Sequence, residues 1–195
     1  MTKAPMKVLI TCVVALATGL LPSSVFAMSC PVNMTLNSAE AVKQWRSVND
    51  GVMGGRSSGG PKFYDDHMVF DGIINTNGGG FSSIRRVVPP AALSKFSALK
   101  LRIKSDGRKY KLTLRTDARY GWRQVSFQAP LPQTTTGDWD DVIVAFENVK
   151  ASVHGQAVVG VKFDVSKVQS LGIILADGRD GPFRLGLKEI SACHD

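Results

Sequence analysis

The residues best suited to chemistry lie in one segment, 47–61, which reads SVNDGVMGGRSSGGP. Within it Gly55, Ser57 and Gly59 match the G-x-S-x-G pattern, in which a strand delivers a nucleophilic serine onto a strained turn before a helix. No strand pattern precedes this serine, and the Gly-Gly-Pro that follows cannot begin a helix. We therefore interpret Ser57 as a turn residue and predict no catalytic residue. The five glycines and one proline predict a long structured loop, a kind of segment that often carries function.

Other patterns that hold phosphates, metals or cofactors are missing from the sequence. The glycines at 54–55 and 78–80 lack the spacing and the lysine of a phosphate loop. The three histidines are scattered at 67, 154 and 194 and do not have the spacing of zinc ligands. The acidic residues do not have the spacing of an EF-hand calcium loop. Asp177 and Asp180 could hold calcium, but a plain turn is the favoured interpretation. The sequence thus predicts no metal site and no cofactor.

Most of the chain alternates with a period of two, as half-buried strands do. In residues 99–103 leucine and isoleucine alternate with lysine and arginine, and apolar residues recur at every second position in 110–114, 142–146, 171–175 and 183–187. Further strands are expected at 66–74, 80–88 and 122–129, which gives about eight. A short helix is expected to begin at an Asn37 cap and to end near Trp45. Without long helices between the strands, the fold class is all-β, an antiparallel sandwich of jelly-roll type.

The N-terminal residues have the organisation of a secretory signal peptide. Lys3 and Lys7 precede fourteen uncharged, predominantly apolar residues at 8–21, and Val25-Phe26-Ala27 supplies small residues for cleavage after Ala27. A membrane anchor, the alternative, needs a run of about 18–20 apolar residues. We predict a signal peptide at 1–27, one domain at 28–195, no stable membrane insertion after cleavage, and a periplasmic or secreted location.

The cysteine count agrees with export. Cys12 leaves with the signal peptide, so Cys30 and Cys193 remain at opposite ends of the mature chain. In an oxidising compartment two such thiols are expected to form one disulfide. Two free thiols and a lipidated Cys30 are the weaker alternatives.

The charge of the chain favours anionic partners. The net charge is +8, and it remains +6 once residues 1–27, with Lys3 and Lys7, are removed (22 basic against 16 acidic residues). If 99–104 and 109–115 were neighbouring strands, their outward residues would form a basic strip suited to an anionic glycan or an acidic protein. A solvated sheet face is the favoured interpretation. Export and the lack of interleaved aromatic residues disfavour nucleic acid. The strip would consist of Lys100, Arg102, Lys104, Lys109, Lys111 and Arg115.

The three tryptophans have two interpretations. Trp45, Trp122 and Trp139 could stack on sugar rings, as aromatic residues of carbohydrate modules do. Each also lies at a predicted strand or helix end, where the indole usually closes the edge of the core. The core interpretation is favoured for all three.

Several ordered blocks of the sequence resemble the complex I intermediate-associated protein 30 family. The most specific is WRSVNDGVMGGRS at 45–57. Residues 36–190 carry the resemblance, which is nearly the whole mature chain. The other blocks, in order, are FDG at 70–72, NGGGFSSIR at 77–85, DGRKY at 106–110, Trp122 with Phe127, WDDVIVAF at 139–146 and GPFRL at 181–185.

The resemblance implies a galactose-binding-like jelly-roll β-sandwich, in agreement with the period-two pattern. Members of this family resemble chaperones that hold intermediates of respiratory complex I during assembly, and they have no established catalytic residues. The signal peptide and the predicted disulfide favour a client in the cell envelope instead of complex I itself.

We therefore predict a non-enzymatic binding module, assembly-factor or chaperone-like, that acts on an envelope protein or protein complex. The alternative is a carbohydrate-binding module of the periplasm or cell surface, with an anionic glycan among its candidate ligands. The predicted binding surface is the 49–58 loop with Arg85. Asn49 and Asp50 would offer side-chain hydrogen bonds, and Met53 would fill an apolar pocket. Arg56 and Arg85 would pair with carboxylates. The candidate binding residues are Asn49, Asp50, Met53, Arg56, Ser57 and Arg85.

Overall fold

The strands form because alternate side chains are buried on one face and exposed on the other. The computed structural model describes residues 28–194, so the predicted signal peptide at 1–27 lies outside the described residues. In the strand at Ala98–Ser105, for example, Leu99, Leu101 and Ile103 are buried while Arg102 and Lys104 are exposed. This alternation gives each sheet one apolar face.

Fifteen strands, one short α-helix and three 3₁₀ turns make up the described chain. The strands are β1 Ser29–Thr35, β2 Arg46–Asn49, β3 Ser58–Tyr64, β4 His67–Ile74, β5 Ser82–Val87, β6 Ala98–Ser105, β7 Tyr110–Arg115, β8 Arg119–Tyr120, β9 Arg123–Gln124, β10 Ser126–Pro130, β11 Trp139–Ala145, β12 Lys150–Val153, β13 Gln156–Ala157, β14 Ser170–Leu175 and β15 Gly181–His194. The helix α1 is Ala39–Lys43, and the 3₁₀ turns are Asp50–Met53, Phe146–Asn148 and Val165–Lys167.

Two antiparallel sheets face each other across the core. The six-stranded sheet has the order β11-β6-β15-β4-β3, and β1 pairs with the second half of β15. The seven-stranded sheet has the order β13-β12-β10-β7-β14-β5-β2. A separate hairpin, β8–β9, projects from the connection between β7 and β10. This arrangement confirms the predicted all-β antiparallel sandwich.

The core fills the space between the two sheets and includes a cluster of aromatic rings. Phe70 of β4 packs against Phe183 of β15 with ring centroids 4.8 Å apart, and Tyr110 of β7 contacts both rings edge-on. Near the N-terminus, α1 buries Val42, and Trp45 is buried directly after it. The two sheets are thereby held in one packed interior.

The cap of the short helix differs by one residue from the prediction. The N-cap is Ser38 and not Asn37, because the Ser38 hydroxyl accepts a hydrogen bond from Ala41 N at 3.3 Å. The helix ends at a Gln44 cap, close to the predicted end at Trp45. Its predicted existence is therefore confirmed, while the capping residue is corrected and the helix, Ala39–Lys43, is shorter than the predicted span.

The predicted 47–61 loop is shorter in the structure, because β2 extends to Asn49 and β3 begins at Ser58. The glycines that argued against a strand are what allow β3 to pack. A Cβ on Gly59 would lie 2.6 Å from Ser82 Oγ, and one on Gly60 would lie 2.4 Å from Ser47 Oγ. The proline of the segment is tolerated because β3 is an edge strand with a neighbour on one side only.

The predicted basic strip is not continuous. Strand β6, with Lys100, Arg102 and Lys104, belongs to the six-stranded sheet, whereas β7, with Lys111 and Arg115, belongs to the seven-stranded sheet. Strands that are consecutive in sequence here cross from one layer of the sandwich to the other, so their outward residues point to opposite sides of the molecule. The cations of β7 must be considered apart from those of β6.

The predicted disulfide is present and joins the two ends of the described chain. Cys30 of β1 is bonded to Cys193 of β15, 163 residues later, where these two strands pair. Cys193 is fully buried. The bond therefore fixes β1 on the six-stranded sheet.

Replacing both cysteines by serine should lower stability without changing the sheet order. For a closed loop of 163 residues the chain-entropy model gives an upper value of roughly 5 kcal/mol. We expect a clear fall in the urea midpoint of C30S/C193S, with a native near-ultraviolet circular dichroism spectrum in buffer. Unchanged urea midpoints for the oxidised, reduced and double-serine proteins would contradict a stabilising role for the bond.

Candidate functional site

The geometry of the 50–57 turn is organised around one buried carboxylate. Asp50 is fully buried, and its Oδ1 accepts a hydrogen bond from Ser57 N at 2.8 Å. Its Oδ2 accepts from Ser57 Oγ at 2.5 Å, from Gly80 N at 2.6 Å and from Phe81 N at 3.2 Å. We call Asp50 with Ser57, Gly80 and Phe81 the Asp50 cluster. It joins the 50–57 turn to the segment that leads into β5.

Glycines are needed around this carboxylate because the backbone comes very close to it. A Cβ on Gly55 would lie 2.3 Å from Asp50 Cγ, and one on Gly79 would lie 2.4 Å from Asp50 Oδ2. Gly54 ends the 3₁₀ turn with φ of +88°, a left-handed conformation that favours glycine. Close packing against Asp50 thus explains Gly55 and Gly79, and the left-handed turn explains Gly54.

The electrostatics of the Asp50 cluster suit a carboxylate that holds the turn in place, and not one that acts as a general acid or base. Burial by itself raises the pKa of Asp50, but the Ser57 hydroxyl and the backbone N–H groups of Gly80, Phe81 and Ser57 together hold the pKa below its ordinary value. The carboxylate is therefore ionised at neutral pH. Its four short hydrogen bonds leave it no role in exchanging protons with a ligand.

Ser57 is engaged in the same network. Besides donating to Asp50, the buried hydroxyl accepts a hydrogen bond from Asn75 N at 3.0 Å. This geometry agrees with the interpretation of Ser57 as a turn residue, since its buried hydroxyl both donates and accepts hydrogen bonds within the chain.

Asn49 also turns towards the chain. Its Nδ2 donates to Gly59 O at 3.0 Å, and its Oδ1 accepts from Ser82 Oγ at 2.7 Å. Asn49 therefore ties β2 to both β3 and β5. The polar side-chain atoms of Asn49 and Asp50, which were predicted to offer hydrogen bonds to a ligand, have partners within the chain in this structure.

A groove of about 550 Å³ lies on the outer face of the seven-stranded sheet. Met53 and the glycines at 78–80 line one side, and Trp122 on the β8–β9 hairpin lines the other. Among the predicted binding residues Asp50, Met53 and Arg85 line the groove, whereas the exposed Arg56 does not. The polar side chains of the groove include Gln124, Ser126, Gln128, Ser152 and His154 besides Asp50, and its arginines and lysine are Arg85, Lys111, Arg115 and Arg123.

The two apolar side chains on the rims of this groove are unusually accessible. Met53 is 61% exposed and Trp122 is 77% exposed. Trp122 follows Gly121, whose φ is +61°, in the two-residue turn of the hairpin. The turn places the indole at the tip, where the Arg123 guanidinium lies 4.9 Å from the ring centroid.

The core interpretation of the tryptophans is therefore wrong for Trp122. It holds for Trp45, which is buried. Trp139 is half-buried on the six-stranded sheet, edge-on to His67 at 5.0 Å. The signal for Trp122 was present in the sequence, because a Gly-Trp pair between two short polar segments is a turn and not the end of a buried strand.

The aspartates weighed as calcium ligands are engaged with protein donors. Asp177 accepts two hydrogen bonds from Arg108, at 2.7 and 2.8 Å, and Asp180 Oδ1 accepts one from Thr76 N at 2.6 Å. Pairing with Arg108 holds the pKa of Asp177 below its ordinary value. Within residues 28–194 no group of three or more acidic, histidine or cysteine side chains is arranged to hold a metal ion.

Replacing Asp50 by Asn should destabilise the fold in a pH-dependent way. At pH 7 we expect a loss of roughly 2–4 kcal/mol, since several charge-assisted hydrogen bonds are weakened at once. Because folding lowers the pKa of Asp50, its contribution is complete above the unfolded value of about 4 and is lost as the pH falls through the folded pKa. Urea unfolding should show that the difference in free energy of unfolding between wild type and D50N becomes smaller from pH 7 to pH 3. A difference independent of pH would contradict the ionised anchor.

A pair of glycine variants tests the steric part of the same cluster. Gly55→Ala should cost roughly 1–3 kcal/mol, because the added methyl meets the Asp50 carboxylate. Gly51→Ala is the matched control, since a Cβ there has nothing within 4 Å. Equal thermal midpoints for the two variants would contradict the close approach at Gly55.

Solved structures similar to this chain share its fold. A family 11 carbohydrate-binding module from Clostridium thermocellum, in complex with a β-1,3-1,4-mixed-linked tetrasaccharide, aligns with a TM-score of 0.60 and 17% identity over 84% of this chain and 97% of its own. A solution structure of the module CtCBM11 aligns with a TM-score of 0.62 and 16% identity, over 90% and 99%. A family 30 carbohydrate-binding module aligns with a TM-score of 0.53 and 12% identity, over 88% and 90%. The predicted galactose-binding-like jelly roll is thereby confirmed.

The family resemblance of the sequence is confirmed as well. Residues 34–187 match the family described as complex I intermediate-associated protein 30 (CIA30). The match includes the Asp50 cluster, the glycines around it and every strand from β2 to β14. The chain belongs to the complex I intermediate-associated protein 30 family.

Proposed function

We propose that the protein is a non-enzymatic binding module that acts outside the cytoplasm and binds a carbohydrate chain in the groove of the seven-stranded sheet. The observation that carries this proposal is Trp122, 77% exposed beside a floor of polar side chains. The binding unit is residues 28–195, released from a signal peptide at 1–27 into the periplasm or the medium. The disulfide between Cys30 and the buried Cys193 supports an extracytoplasmic location. The likeness to carbohydrate-binding modules supports it as well.

The apolar part of the groove suits the C–H face of a sugar ring, and its polar part suits the sugar hydroxyl groups. An exposed indole offers a flat apolar surface to the C–H face of a pyranose. The hydroxyls of Ser126 and Ser152 and the amides of Gln124 and Gln128 can donate to or accept from sugar hydroxyls. An open sheet face also lets a polymer extend beyond the groove in both directions.

The single carboxylate of the groove supports binding without hydrolysis. Glycoside hydrolysis normally requires two carboxyl groups on opposite sides of the bond that is cleaved. Among the described residues that line the groove, Asp50 is the single acidic one, and its oxygens are engaged in the Asp50 cluster.

An assembly-factor or chaperone-like role on an envelope protein or protein complex is the second candidate function. Family membership favours it, together with Met53, whose flexible side chain is 61% exposed on the groove rim. A protein client would use the same groove, with an apolar residue against Met53.

Removing the indole should weaken sugar binding. For Trp122→Ala we expect a roughly fivefold to tenfold rise in Kd for a bound oligosaccharide, because one stacking contact is lost. Isothermal titration calorimetry of the mature protein across neutral and acidic glycans measures this. The matched control is Tyr120→Ala, which removes an aromatic ring 51% exposed on the same hairpin but outside the groove lining.

Two results would count against carbohydrate binding. One is the absence of heat and of tryptophan fluorescence change with every glycan tested. The other is equal affinity of W122A, Y120A and wild type. If crosslinking in the envelope then captures a protein through the Met53 rim, the second candidate function is favoured.

A further inference from the structure

Two arginines lie side by side on the floor of the groove. Arg85 of β5 faces Gly172 of β14, and Gly172 faces Thr113 of β7, two residues before Arg115. A Cβ on Gly172 would lie 2.9 Å from Arg85 Cγ, so the missing side chain leaves room for Arg85 to lie over this strand. Burial first, and then the positive charge of Arg115, lower the pKa of Arg85 to about 10. Both guanidinium groups remain charged at neutral pH.

The donors of these two arginines are poorly used within the described chain. Arg85 donates one long hydrogen bond, to Ser83 Oγ at 3.4 Å, and Arg115 donates one, to Gln124 Oε1 at 2.9 Å. The Nε atoms of both are buried without a hydrogen-bond partner among residues 28–194. None of the ion pairs found in that part of the chain involves either arginine.

Arg108 shows what a structural arginine of this protein looks like. Its buried guanidinium forms a bidentate ion pair with Asp177, with hydrogen bonds of 2.7 and 2.8 Å. It also donates a hydrogen bond to Pro182 O at 3.0 Å. The contrast is physical, because burying a charge is unfavourable unless a counter-charge and hydrogen bonds accompany it. Arg85 and Arg115 have no counter-charge within the described chain and only one hydrogen bond each, and they also repel each other. An anionic group placed between them would supply both.

We propose that Arg85 and Arg115 form a carboxylate-binding subsite, and that the chain bound in the groove is an acidic polysaccharide of the polyuronate class. This inference rests on the proposed function. The planar fork of Nε–H and Nη–H matches the two oxygens of a carboxylate. Lys111 and Arg123, which also line the groove, extend the positive surface to neighbouring uronates, and Trp122 provides the stacking face. The polar floor favours a hydroxyl-rich chain over a protein segment.

The test measures the affinity of the mature, disulfide-bonded protein for polygalacturonate and alginate by calorimetry and affinity electrophoresis. We expect Arg85→Gln and Arg115→Gln each to weaken binding by roughly tenfold or more, since each removes charge-assisted hydrogen bonds. Arg85→Lys should restore part of the affinity, because the charge returns without the fork. The double variant R102Q/K104Q is the control, since it removes two charges from the other sheet and should bind as wild type does.

A thermal melt separates a ligand site from a structural one. Because Arg85 and Arg115 repel each other and lack carboxylate partners, R85Q/R115Q should melt at or above the wild-type temperature. A structural pair would instead lower the melting temperature when removed. A fall in melting temperature accompanied by unchanged polyuronate affinity would overturn the subsite.

The ligand panel distinguishes failure of this inference from failure of the proposed function. Neutral glycans bound in a Trp122-dependent way, with no effect of the arginine variants, would leave carbohydrate binding standing and overturn the carboxylate subsite. Preference for a sulfated glycan over polyuronate would overturn the carboxylate assignment. Arginine-dependent binding of poly-glutamate, with no glycan bound, would overturn the polyuronate ligand and carbohydrate binding together, and would favour an acidic protein client.

Discussion

One buried negative charge determines much of the local architecture. A buried carboxylate must be surrounded by hydrogen-bond donors. Asp50 obtains them from Ser57 in its own turn and from Gly80 and Phe81, which lie 30 and 31 positions later. Few arrangements bring backbone N–H groups that close to one another. The glycines at 55 and 79 are the ones that permit it here, because a methyl group at either position would overlap the carboxylate.

The Asp50 cluster in turn determines the edges of the groove. Met53 projects from the turn that begins at Asp50, and the strand that carries Arg85 begins directly after Gly80 and Phe81. The most recognisable block of the sequence therefore has a positioning role, while the side chains exposed to a ligand lie mainly on β7, β10 and the β8–β9 hairpin. The blocks that carry the family resemblance therefore contribute in two ways, with Asp50 as an anchor inside the turn and with Arg85 and Trp122 as side chains that line the groove.

The sequence predicted well what period-two alternation and redox chemistry determine. The strands containing Leu101, Leu112 and Ile173 were located because each buries alternate residues, and the Cys30–Cys193 bond followed from the cysteine count. Segments shorter than one full alternation, such as β8, β9 and β13, give no periodic signal. Strand β3 was missed because its glycines are explained by contacts with Ser82 and Ser47, which only the folded chain brings near. For the same reason the sequence could assign a polar residue such as Asp50 to the site, but not the direction of its side chain.

The central position of β15 has a consequence for how the chain folds as it is synthesised or exported from the N-terminus. Residues 181–194 pair with β1, β4 and β6, so the six-stranded sheet lacks its middle strand until almost the whole of the described chain has emerged. Until then, β4 and β6 have open edges that no local partner can close. Sheet assembly is thus a late, long-range event, and until it occurs the unpaired edges of β4 and β6 remain open to pairing with other chains.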